Sequence, residues 1–170
     1  MYKSLIIFIV TLVNLNASHA LTLMPLTSWI KDKDYTTLSV EDTILVTQRC
    51  MAAYRINISF FSEFSNYDPK KLKDTFEKYS WVNSRFAILK VVKNKDKVRD
   101  KNYADKFIKS LLQEEQEIYD AYLEIMRNNQ PIPHSLNSEL LATDIGVCNK
   151  IDSMVFDAYQ QMKKHEESSK

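Results

Sequence analysis

Glycine is nearly missing from this chain: Gly146 is the only one in 170 residues, and there are four prolines. Gly-rich phosphate loops, in which the backbone must approach a nucleotide closely, have no material here. The Asn-Gly and Asp-Gly turns of tight β-hairpins are absent as well, so the composition points to helices. Histidine is scarce, with His19, His134 and His165 only. The Cys-x-x-Cys-His haem motif, the Glu-x-x-His pairs of bundle di-iron sites and the Gly-x-Ser-x-Gly nucleophile turn do not occur. No metal, cofactor or catalytic residue is expected from motifs of these kinds. Nor does any apolar run reach the roughly 20 residues that a membrane-spanning helix needs.

What is present begins with an export signal. Lys3 is followed by an apolar run from Leu5 to Leu15 and by Asn16-Ala17-Ser18-His19-Ala20. A positive start, an apolar segment of about 7–15 residues and small residues before a cut are the parts of a signal peptide. Ser18 and Ala20 place the cut after Ala20, making residues 1–20 the leader. Its removal takes one charge, Lys3, from the 23 basic and 22 acidic side chains, leaving 22 of each. A formally neutral mature chain gives no global attraction to nucleic acid, and after cleavage no transmembrane anchor remains. Some 150 residues suit one hydrophobic core, so one domain is expected.

Cys50 and Cys148 are the only cysteines. An even count in an exported chain reads as a structural disulfide. A redox role is disfavoured because the Cys-x-x-Cys spacing is missing.

Along the chain, residues 21–38 are irregular and read as an arm, or a short helix, laid on the body. Ser39 ahead of Glu41 and Asp42 marks a helix start, and this first long helix is expected to run to about Ser65. Its inward face would carry Val46, Cys50, Ala53, Tyr54, Phe60, Phe61 and Phe64. Ile56 and Ile58 leave a strand as a minor alternative. Asp68-Pro69 starts a second helix, whose stripe of Leu72, Phe76, Tyr79, Val82, Phe86 and Leu89 predicts a run to about Lys93. A third carries Ala104, Ile108, Leu111, Leu112, Ile118, Tyr122 and Ile125, and ends at Asn128-Asn129-Gln130-Pro131-Ile132-Pro133. A fourth begins near Asn137. The expected architecture is all-α: a four-helix up-down-up-down bundle over residues 39–164, with the disulfide joining its first and last helices. Residues 165–170 are expected to be a disordered tail.

Four polar residues, Asn57, Asn83, Glu115 and Asp144, fall where the stripes call for apolar ones. Buried polar groups left unpaired cost about 1–3 kcal/mol each, so they are expected to bond to one another or to a ligand. Glu115 and Asp144, facing one cavity, would form an acid–base pair for hydrolysis; pairing with Arg49, Arg55 or Arg85 is the bland alternative. From Lys90 to Lys109 eight bases stand against three acids, a local excess of five (8 − 3). Lys93, Lys95, Lys97, Arg99 and Lys101 form the centre of that block. The leading expectation is binding of a protein partner or an anionic envelope component at this basic end. Its alternative is a carrier or sensor holding a small molecule near Asn57 and Tyr54, and a hydrolase is the remote third.

Overall fold

The computed structural model describes residues 23–31, 33–34, 37–61, 68–93, 101–128 and 138–169. The leader reading therefore lies outside the described residues. Among those described there are five helices and no strand: α1 (Leu26–Trp29), α2 (Val40–Phe61), α3 (Pro69–Lys93), α4 (Lys101–Asn128) and α5 (Glu139–Ser168). None of them is long and apolar enough to cross a membrane.

The starts follow from side chains that satisfy the free N–H groups of a first helical turn. Ser39 Oγ accepts from the Asp42 amide at 3.0 Å, with Glu41 and Asp42 in the first turn of α2. Asp68 Oδ1 accepts from the amides of Lys70 and Lys71 at 3.0 and 3.2 Å, ahead of Pro69. Ser138 caps α5 by accepting from Leu141. Ile56 and Ile58 lie within α2, so that segment is helix rather than strand.

α2 is the centre of the molecule. Every residue from Val46 through Tyr54 is buried, because α3, α4 and α5 each pack against a different side of it. A stretch enclosed on all sides has no solvent face to fill with charge, and its polar residues must find partners in the neighbouring helices. The core falls into three adjoining clusters. One joins Leu26 and Ile30 of the arm to Val46, Tyr79, Val82 and Ile151. A second sets Ala52, Ala53 and Ile56 against Ile118, Tyr122 and Leu141, and a third joins Ile44, Ala87 and Leu111. Burying such aliphatic and aromatic side chains contributes roughly 1.5–3 kcal/mol each. The Cys50–Cys148 disulfide ties α2 to α5, with Cα atoms 5.6 Å apart.

Two expectations need correction. Phe60, Leu89, Ile108 and Leu112, read as inward, are 42%, 43%, 43% and 62% exposed. On α4 the buried residues are Leu111, Glu115, Ile118, Ala121, Tyr122 and Met126, a stripe that meets α2 and leaves Ile108 and Leu112 uncovered. The tail is also helical: α5 continues through Ser168. Arg85 of α3 pairs with Glu166, and the hydroxyls of Ser168 and Ser169 donate to the His165 carbonyl at 2.9 and 2.8 Å. Phe64 and the end expected near Ser65 lie outside the described residues.

Candidate functional site

Asp144 on α5 has no exposed surface. Its Oδ1 accepts from the Leu26 amide at 2.7 Å, and its Oδ2 accepts from the Arg49 guanidinium and the Tyr122 hydroxyl. Arg49 also donates to the Met24 carbonyl at 3.1 Å, and its Nε is buried without a partner among the described residues. Arm, α2, α4 and α5 thus meet on one carboxylate. Burial raises the Tyr122 phenol above its ordinary range, opposed by the nearby Arg49 charge and reinforced by Asp144. A carboxylate holding three donors and closed to solvent is built to clamp, not to meet a substrate.

A second cluster surrounds the disulfide. Tyr54 and Tyr79 stack edge-on at 5.4 Å, and both hydroxyls donate to Asp152 Oδ1, at 2.9 and 2.8 Å. Tyr79 also donates to the Cys148 carbonyl at 3.0 Å. Burial is the main cause that raises both phenols, with Asp152 adding to it.

The remaining polar candidates are separated. Asn83 donates through Nδ2 to the Ile44 carbonyl at 3.0 Å and to Thr47 Oγ1 at 2.7 Å. Glu115 Oε2 accepts from Arg55 at 3.2 Å, while its Oε1 is buried with no partner among the described residues. Asn57 is buried on α2. The expected mutual thread of Asn57, Asn83, Glu115 and Asp144 does not form; three of the four bond instead to polar side chains of α2, namely Thr47, Arg55 and Arg49. The reason is the central place of α2, which presents polar groups toward three neighbours. Glu115 and Asp144 keep different arginines, and Asp144, with no exposed surface, cannot share an open cleft.

Space for a ligand or partner lies away from Asp144. Between α3 and α5 runs an open groove of about 360 Å³ walled by Trp81, Ile88, Leu89 and Met162, with Arg85, Glu166 and His165 at its polar side. A smaller cavity of about 110 Å³ sits between α2, α3 and α4, and Asn83 and Glu115 line it. Tyr54 and Asn57 line neither of these. Ile88 belongs to both walls, and Ile108 and Leu112 border the smaller one. Ile88, Ile108 and Leu112 thus form an exposed apolar face across α3 and α4, with Leu89, on the groove wall toward α5, and Val92 following on α3; all five are 42–62% exposed.

Of the basic block, Lys93 is exposed at the end of α3 and Lys101 begins α4. Lys95, Lys97 and Arg99 lie outside the described residues. No group of His, Cys, Asp and Glu among the described residues is arranged to hold a metal ion.

Sequence reasoning missed the Tyr79–Asp152 contact and the exposed apolar face. The first had a faint signal, since Cys148 and Asp152 are four apart and share a helix face. The second had none, because exposed and buried apolar positions read alike in a stripe. No family model, curated protein or solved structure matches the chain.

Proposed function

We propose that the protein is an exported binding module that docks an acidic, amphipathic segment of a protein partner on the face formed by Ile88, Leu89, Val92, Ile108 and Leu112. The observation that carries this reading is the exposure of five large apolar side chains on adjoining helices, a concentration that marks interaction surfaces. The chemistry of the partner follows from the neighbouring charges. In sequence, Lys93 follows Val92 at the end of α3 and Lys109 follows Ile108 on α4, so an apolar ridge with acidic neighbours complements this surface. Export is supported by the leader-like N-terminus together with the Cys50–Cys148 bond, because disulfides persist in oxidising compartments. An up-down-up-down order of the long helices is part of the same reading. It is supported by pairings that run in opposite senses, Thr47 with Asn83 and Tyr54 with Tyr79.

Photo-crosslinking from residue 89 and from residue 112, in cells that export the protein, tests the surface. The expected result is one protein joined at both positions through an acidic segment, with a yield that falls as salt rises. Crosslinks only to lipid, only to a second copy, or none at either position would sink it. N-terminal sequencing of the exported form should begin at Leu21; a chain still beginning at Met1 would contradict export by cleavage.

A further inference from the structure

We propose that the small cavity between α2, α3 and α4 binds a short primary alkylammonium compound, with the cationic head on Glu115 and the alkyl chain among Met51, Ala87, Leu111 and Leu112. Three observations converge on it. The volume of about 110 Å³ is the share of about four water molecules, room for a head group and a short chain.

Glu115 lines this cavity and is only 8% exposed. One of its oxygens is taken by Arg55, and the other, Oε1, has no partner among the described residues. A buried acceptor in that condition costs free energy that a donor from a ligand would recover.

Three of the four other polar side chains on the wall, Gln48, Asn83 and Ser84 but not Ser80, have their donors engaged in bonds to the protein itself. The Asn83 amide nitrogen gives its protons to Ile44 and Thr47, and the Gln48 amide nitrogen gives its to the Leu111 carbonyl and Glu114. Ser84 donates to the Trp81 carbonyl at 2.7 Å. What these groups have left to offer is acceptor oxygen, which selects a ligand that donates, and an ammonium donates three times without accepting. Burial outweighs Arg55 and raises the Glu115 carboxyl above its ordinary range, the behaviour of a carboxylate whose charge is incompletely matched. Ile88, Ile108 and Leu112, each on the wall and each part-exposed, form an apolar mouth through which an alkyl tail would leave.

The test uses the oxidised mature chain and n-butylammonium as the probe, followed through the methyl resonances of Met51, Leu111 and Leu112. Saturable shifts are expected, with n-butanol giving none. Glu115→Gln, which keeps the volume, should weaken binding at least about tenfold. Ser84→Leu, at an exposed position on the wall, should block binding while leaving Glu115 in place, and it serves if Glu115→Gln fails to fold. Equal binding of butanol, an unchanged affinity in both variants, or no saturable shift with butylammonium overturns the site. None of these outcomes bears on crosslinking at residues 89 and 112, so the two proposals fail separately.

Discussion

Asp144 carries more consequence than any other single side chain, because its three donors come from three different parts of the fold. Asp144→Ala leaves the buried Arg49 charge unmatched, and the expected loss is about 3–5 kcal/mol by urea denaturation. Replacing both Arg49 and Asp144 with leucine should cost less than Asp144→Ala alone, since no charge is then stranded. A larger loss in the double variant would refute the clamp. Glu115 behaves differently with pH. Its carboxyl is raised in the folded chain, so the folded state takes up a proton before the unfolded state does. The contribution of this group therefore becomes more favourable as pH falls from 7 through the raised value toward the ordinary 4.5. The stability difference between wild type and Glu115→Gln should move in favour of wild type over that window; a flat difference would show that burial is not perturbing the group.

Helix ends and interiors offer cleaner tests, because local chemistry sets them. Gly146 lies inside α5, is exposed, and a Cβ there meets nothing within 4 Å. Gly146→Ala should therefore stabilise the protein by roughly 0.5–1 kcal/mol, read as a higher denaturation midpoint at unchanged slope. Ser138→Ala removes the cap on Leu141 and should cost about 1 kcal/mol. These starts were readable because capping is a matter of a few consecutive residues: Ser39 and Asp68 sit where their chemistry places them. The faces were less readable. On α4 the apolar residues span more of the circumference than α2 can cover, and only contact with α2 selects Leu111, Ile118, Tyr122 and Met126 as the buried ones.

For the molecule as a whole the disulfide is the largest covalent constraint, spanning 98 residues. Replacing Cys50 and Cys148 with alanine should cost about 4–5 kcal/mol on the chain-entropy view, a large part of the roughly 5–15 kcal/mol that a domain has to lose. A midpoint shift of less than about 1 kcal/mol would mean that packing between α2 and α5 restrains the chain without the bond. The proposed docking surface belongs here too, because Ile88 of α3 meets Ile108 and Leu112 of α4 only in the packed molecule.

Composition and short-range pattern were enough for the all-helical class, the helix starts and the pairing of the two cysteines. One glycine rules out hairpin turns and phosphate loops, and two cysteines allow one intramolecular bond. The polar candidates were legible as anomalies, but their partners were not. Asn83, Glu115 and Asp144 could be seen to interrupt apolar stripes, yet whether they met one another or met α2 depended on which helix occupied the centre. That choice rests on how four amphipathic surfaces share out contact area, a property of the packed assembly that no local stretch of sequence contains. The same sharing left Ile88, Ile108 and Leu112 uncovered and set Glu115 on the wall of a cavity, so the candidate sites arose from packing while the elements that frame them arose from the chain.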